Sequence, residues 1–213
     1  MLCWILARIS HQRLLQLWLL GLVLCAIAVV ISIYFVDRPV ATLVAATARQ
    51  SPIDSWIAHA LEFLATVAAI APLFLIVCAC LVIAGRGLPP WTKTPLLCCW
   101  GIVWAIAATT AFKLIFGRAE VDPYLKDGIY QFNWFHGTHW YEAFPSGTAT
   151  ISAALMTVLW MRIPSWRWLW LLVFLLPTIG VVVTNEHFVG DVIAGGYLGV
   201  SIGWMTVALL QPG

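Results

Sequence analysis

The stretch 144–161 reads FPSGTATISAALMTVLWM, a short polar turn that opens onto an apolar run. A Pro-Ser-Gly turn at the start of a helix is suited to hold an anion. Ser146 can cap the helix, Gly147 lets a ligand approach the backbone, and the free N–H groups and positive dipole end point outward. We therefore predict a phosphate site at Ser146, Gly147 and Thr148, where a helix begins that continues to Met161.

The composition of the chain indicates whether this helix lies in water or in a lipid bilayer. Of 213 residues, 62% are hydrophobic and only 9% are charged. A soluble domain of this size cannot bury so much apolar surface, so we predict an integral membrane protein with a single domain over residues 1–213. The net charge of +2, without basic runs, gives no indication of nucleic-acid binding. The six cysteines lie in or beside apolar runs and lack the spacing of a disulfide framework or zinc site.

Long apolar runs predict an all-α polytopic bundle with six transmembrane helices. The predicted spans are 14–36, 57–84, 96–116, 147–161, 168–184 and 192–210, and 40–48 is a candidate short interfacial helix. Alternate connecting segments contain no acidic residue. Their basic residues are Arg8, Arg13, Arg86, Lys93, Arg162 and Arg167. Because basic residues are enriched on the cytoplasmic side, we expect both termini to be cytoplasmic and the 144–148 turn to be external. This topology and the short chain favour a bacterial inner membrane with the turn facing the periplasm, although a lumenal site in a eukaryotic membrane would give the same pattern.

Two further polar clusters lie where predicted spans meet external loops. Lys113 and Arg118 stand at the end of the third span, where both cations can converge on one anion, although a lysine there is more often a snorkelling anchor. His187 stands four residues before Asp191, so a helix over both places them on one face. Asp191 can then hold one ring nitrogen and leave the other free as a nucleophile or base. Taken alone, such a pair is more often a satisfied polar contact.

In order along the chain, these clusters resemble the motifs of the type-2 phosphatidic acid phosphatase superfamily of membrane lipid phosphatases. Residues 113–118 (KLIFGR) are similar to a frequent Lys-x-x-x-Gly-Arg opening of that family. Residues 144–147 (FPSG) match its second block, and 187–195 (HFVGDVIAG) resemble its third. The resemblance covers roughly 111–199, and the six predicted spans agree with it.

The resemblance implies a role for each of these residues. His187 would be the nucleophile that forms a phosphohistidine, and Asp191 would orient it. The phosphoryl oxygens would be bound by Lys113, Arg118, Ser146 and the Gly147 amide. The family implies neither a metal nor another cofactor, and its substrate would be a lipid phosphate or lipid diphosphate in the bilayer. The sequence does not indicate a protein partner.

The chain departs from the family pattern at three places. Glu120 stands where the family has the arginine of Arg-Pro, and Thr148 replaces the histidine after Pro-Ser-Gly. Gly180 and Val181 replace a Ser-Arg pair. The missing histidine is the family's general acid, a role worth about 10²- to 10⁴-fold in rate. Loss of this acid would slow the reaction of a diphosphate substrate less, because its leaving phosphate is already a weak base.

Several side chains are candidate replacements for the missing acid. They are His136, His139 and Glu142 in the external loop, and His59 with Glu62 on the second span. The spacing of the first three also fits a metal site, but a polar loop produces such a pattern by chance. Glu62 more simply hydrogen-bonds a neighbouring helix.

These features predict a membrane lipid phosphatase with its site on the external face. Two alternatives stay open: a catalytically inactive relative that binds a phospholipid or a membrane protein, and a transferase that acts on a lipid head group or prenyl chain. The retained pair of His187 and Asp191 argues against an inactive pocket, while the three lost positions argue against an ordinary phosphatase.

Overall fold

The computed structural model describes residues 11–47, 52–135 and 139–210, and the ordered elements within these ranges are helices. They are α1 (His11–Ile31), α2 (Asp37–Thr47), α3 (Pro52–Ile83), α4 (Lys93–Phe116), α5 (Val121–Asp127), α6 (Gly147–Arg162), α7 (Arg167–Val183) and α8 (Val189–Leu210). A π-helical segment, Ser32–Val36, joins α1 to α2 without a break. The helix α2 occupies the region predicted to contain a short helix after the first span.

The outer surface of the bundle is apolar. Leu20, Ile76 and Leu176 are each more than half exposed, at 55%, 59% and 63%. Such a surface is stable in lipid hydrocarbon, so the chain is an integral membrane protein, as the composition predicts. Among the described residues, five stretches are long and apolar enough to cross a bilayer: Gln12–Thr47, His59–Ile83, Pro90–Phe116, Pro164–Val183 and Val189–Leu210.

The helix α6 is not among these five stretches. Its 16 residues correspond to about 24 Å of helix, which is shorter than a hydrocarbon core of about 30 Å. Small buried residues such as Ala149, Ala153 and Ala154 let other helices surround it. The total of six spans and the cytoplasmic location of both termini therefore stay predictions.

Close packing of α6 against α8 aligns the beginnings of these two helices. Gly195, Gly199 and Gly203 form a stripe on α8 that faces α6. A Cβ atom on Gly199 would lie 2.2 Å from the Thr150 carbonyl oxygen, so only glycine permits this approach. As a result, the Ser146 amide can donate to the carbonyl oxygen of Asp191 at 3.1 Å.

The loop 117–145 covers this end of the bundle. The helix α4 ends at Phe116 and is followed by the capping residue Gly117, whose φ of 51° is left-handed and whose amide donates to the Lys113 carbonyl. The loop then doubles back on itself, since the Ala119 amide donates to the Gln131 carbonyl at 3.0 Å. Tyr130 stacks edge-on against Phe188, just before α8, with 5.2 Å between ring centroids. The contact between Tyr130 and Phe188 holds the loop against the start of α8.

Candidate active site

A polar cavity of about 460 Å³ lies between the loop and the ends of α4, α7 and α8. Lys113 and His187, which are 74 positions apart in sequence, both line this His187 cavity. The structure therefore brings the first and third predicted clusters together. Four carboxylates also stand on its wall: Glu120, Asp122, Glu142 and Glu186. Asp122 is paired with the exposed Lys126 at 2.6 Å.

A second cavity of about 220 Å³ adjoins the first, and we call it the Thr109 cavity. It contains Thr109, Gly147 and apolar side chains of α4 and α6, among them Ile106 and Ile151. Lys113 and Glu142 line both cavities. The start of α6 and His187 thus approach Lys113 from two sides, which brings all three predicted clusters to one end of the bundle.

The pair of His187 and Asp191 is assembled differently from the sequence prediction. The helix α8 begins at Val189, so His187 lies just before it. Its Nδ1 atom is buried without a hydrogen-bond partner and lies 3.9 Å from Asp191 Oδ2. That distance is too long for a hydrogen bond. Instead, Asp191 Oδ2 accepts from the Phe188 amide at 3.0 Å and caps the first turn of α8.

Arg118 is not on the cavity wall with Lys113. It is 2% exposed, and its guanidinium donates to Asp191 Oδ1 at 2.5 Å and to Asp37 Oδ2 at 2.6 Å. The expected convergence of Lys113 and Arg118 on one anion is therefore corrected, because two buried carboxylates already engage the guanidinium. Burial acts to lower the pKa of Arg118, but Asp191 and Asp37 outweigh it and the pKa is raised.

Asp37 and Tyr130 complete this buried network, and neither was a candidate site residue. The Asp37 side chain is fully buried, and the Tyr130 hydroxyl lies 2.7 Å from Arg118 Nη2 and 3.2 Å from Asp37 Oδ2. Burial raises the pKa of Tyr130, so its hydroxyl keeps its proton over a wide pH range. The sequence signal for Asp37 was an acid at the end of an otherwise uncharged apolar run.

Ser146 caps α6 as predicted. It is fully buried, and its Oγ accepts from the Ala149 amide at 3.4 Å. Gly147 lines the Thr109 cavity beside Lys113, whereas Ser146 and Thr148 line neither of the two cavities. A direct contact of Ser146 or Thr148 with phosphate stays a prediction.

The candidate replacement acids are separated by the structure. Glu142 lies beside Lys113 in both cavities, while His59 and Glu62 are exposed on α3 and line neither. His136 falls outside the described residues, as does the side chain of His139. Within the described part of the chain, no three His, Cys, Asp or Glu side chains are grouped so as to hold a metal ion.

Two of the three departures from the family pattern, at Glu120 and Val181, also have definite places. Glu120 stands on the wall of the His187 cavity. Val181 is fully buried in α7, and its carbonyl accepts from the amides of Glu186 and His187. Its role is therefore to support the backbone that carries His187.

The described part of the chain is thus an apolar helical bundle of a membrane protein that gathers a lysine, a histidine beside a carboxylate and a helix N-terminus at one end. The chain belongs to the PAP2 superfamily, whose family model matches residues 94–212. It is similar in fold to the crystal structure of a transmembrane PAP2 type phosphatidylglycerolphosphate phosphatase from Bacillus subtilis, with a TM-score of 0.54 and 17% identity. That match covers 92% of this chain and 94% of the other. No curated protein matches the chain significantly.

Proposed function

We propose that the chain is a phosphatase that hydrolyses the phosphate ester or diphosphate of a membrane lipid, with His187 as the nucleophile. One observation carries this proposal: His187 and Lys113 line the same cavity, and His187 Nδ1 faces the carboxylate of Asp191. Because Nδ1 is buried, Nε2 is the ring nitrogen available to a substrate in the cavity.

In the proposed reaction, Nε2 of His187 attacks phosphorus and the bond to the lipid oxygen or leaving phosphate breaks. Lys113 and the free amides at the start of α6 stabilise the charge on the phosphoryl oxygens. Water then attacks the phosphohistidine, which releases phosphate and restores the imidazole. Such catalysis depends mainly on positioning and charge stabilisation.

We assign the missing general acid to Glu142. Glu142 is the loop candidate whose side chain the structure describes, and it lines both the His187 cavity and the Thr109 cavity, as Lys113 does. When it holds a proton, a carboxyl group here can protonate the leaving oxygen. Glu142→Gln should lower kcat for a lipid monophosphate by about 10²- to 10⁴-fold, and it should lower kcat for a diphosphate much less.

The positive-inside pattern of the connecting segments supports an external site, which in a bacterium would face the periplasm. Residues 117–145 and the start of α6 would then receive lipids from the outer leaflet. Cysteine labelling of Asp127→Cys in intact cells and in inverted vesicles tests this orientation, since Asp127 is exposed on the loop.

The test of the reaction is phosphate release by the full chain in detergent, without added metal, from phosphatidate, phosphatidylglycerol phosphate and a polyprenyl diphosphate. His187→Ala should abolish release, and rapid acid-free quenching should trap a phosphohistidine in the unmodified protein. His11→Ala is the matched control, because His11 starts α1, about 30 Å of helix away from the π-segment. No release from a folded sample that binds lipid phosphate would instead indicate an inactive lipid-binding relative.

The acidic wall of the His187 cavity favours a second candidate, transfer of a lipid phosphoryl group to an alcohol that carries an ammonium group. Carboxylates such as Glu120 and Glu186 attract a cation to the cavity. The phosphohistidine would then be attacked by that alcohol in place of water. Adding ethanolamine to the assay separates the two reactions, because a transferase would form phosphoethanolamine at the expense of phosphate.

A further inference from the structure

A buried acid from the first helix lies against the backbone that carries the proposed nucleophile. Asp37 Oδ1 accepts from the Gly190 amide at 2.9 Å and from Ser32 Oγ at 3.0 Å. Its other oxygen, Oδ2, pairs with Arg118. Asp37 therefore contacts both the first turn of α8 and the guanidinium that holds Asp191, although it lies outside the residues 94–212 matched by the family model.

The π-helical segment explains how an apolar helix presents this acid. In the π-segment the Asp37 amide donates to the Ser32 carbonyl, five residues back, rather than to Ile33. The Ile33 carbonyl consequently accepts from the Tyr130 hydroxyl at 2.9 Å. The extra residue in the turn also changes the direction of the side chains that follow, so Asp37 faces the bundle interior. Such π-segments are frequent at functional sites.

We propose that Asp37 is a positioning residue of the His187 site, supplied by the first helix. It acts through two contacts: it holds the Gly190 amide, three residues after His187, and it shares Arg118 with Asp191. Because Arg118 divides its charge between two carboxylates, Asp191 keeps enough negative charge to favour the tautomer of His187 with a proton on Nδ1. That tautomer leaves Nε2 unprotonated, as a nucleophile requires.

Neutralising Asp37 should disturb this arrangement in a defined direction. In Asp37→Asn, the whole charge of Arg118 acts on Asp191 and the electrostatic hold on Nδ1–H weakens. The amide also places a donor group beside Arg118 in one of its two orientations. We expect the share of His187 with its proton on Nδ1 to fall. We expect kcat to fall by about 10- to 100-fold, as for other residues that orient a functional histidine indirectly, with KM little changed.

The experiment compares Asp37→Asn with Asp127→Asn, which removes an exposed carboxylate from the loop on the same side of the bundle. Histidine-selective ¹⁵N NMR in detergent reports the tautomer, and the His187 signals are those lost in His187→Gln. Tyr130→Phe is a gentler variant, since it removes only the hydroxyl that links Arg118, Asp37 and Ile33. It should change the tautomer and kcat in the same direction, by a smaller factor.

The outcomes separate this inference from the proposed function on which its kinetic part rests. A tautomer shift in Asp37→Asn and Tyr130→Phe, absent in Asp127→Asn, supports the positioning role even if no variant releases phosphate. Unchanged His187 signals in Asp37→Asn, with kcat no lower than in Asp127→Asn, overturn it. If Asp37→Asn does not fold, an unchanged His187 spectrum and kcat in Tyr130→Phe overturn it equally.

Discussion

Replacing Arg118 with methionine should lower the free energy of unfolding of the protein, and not only weaken phosphate binding. The guanidinium is 2% exposed and separates two carboxylates whose side chains are fully buried. Removing one partner of a buried ion pair leaves an uncompensated charge and costs about 3–5 kcal/mol. For a chain of this length, that corresponds to a melting temperature lower by about 6–20 °C. The stability of Arg118→Lys should fall between those of the unmodified protein and Arg118→Met, because one ammonium cannot engage both carboxylates in the geometry of the planar guanidinium.

The assay is thermal or denaturant unfolding in detergent, with Arg86→Met as the matched control. Arg86 is exposed after α3, so its loss should change stability by no more than about 0.5 kcal/mol. Inhibition by inorganic phosphate gives the second readout. Lys113→Met should weaken that inhibition, whereas Arg118→Lys should leave it nearly unchanged. Equal stability of Arg118→Met and Arg86→Met would refute the buried network, and a selective loss of phosphate inhibition in Arg118→Lys would restore Arg118 as a phosphate ligand.

Three further predictions concern the packing, the cap and the pH dependence. Gly199→Ala should destabilise the fold by about 1–3 kcal/mol in unfolding assays, because its Cβ would lie 2.2 Å from a carbonyl oxygen of α6. The Cβ of Gly196→Ala would meet only the Phe174 ring, so this control variant should lose less stability. Ser146→Ala should cost about 1 kcal/mol through the lost cap, and a stability equal to wild type would contradict that role. Burial raises the pKa of Tyr130 from 10.0, so its stabilising effect is complete below pH 10 and is lost at higher pH; Tyr130→Phe should therefore melt with a weaker pH dependence between pH 9 and 12.

Features set by local sequence were predicted well. The apolar runs predicted the membrane helices, and the Pro-Ser-Gly turn predicted the cap on α6. Each of these depends on residues within a few turns of one helix, where hydrophobicity and capping act directly. The order of the three motifs likewise predicted the family.

The buried network could not be predicted in the same way. Asp37 and Arg118 are 81 residues apart, and nothing near either residue in sequence indicates the other. Arg118 follows a left-handed Gly117, and the direction in which the chain leaves that turn is set by the loop packed against it. A cation in a polar loop therefore suggested a ligand contact, while tertiary packing placed it between two acids.

The acidic wall and the missing general acid favour opposite substrates, and their magnitudes decide between them. Four carboxylates line the His187 cavity, of which Asp122 is paired with Lys126, and Lys113 stands on the same wall. At about 4 Å in water-like surroundings a carboxylate repels an additional substrate charge by about 1 kcal/mol, so each carboxylate that close would disfavour a diphosphate by about that amount. Loss of a general acid costs a monophosphate about 10²- to 10⁴-fold, or about 3–5 kcal/mol. In Glu142→Gln, which lacks the proposed general acid, the diphosphate should therefore be the better substrate, and added salt should widen its advantage because salt screens the wall.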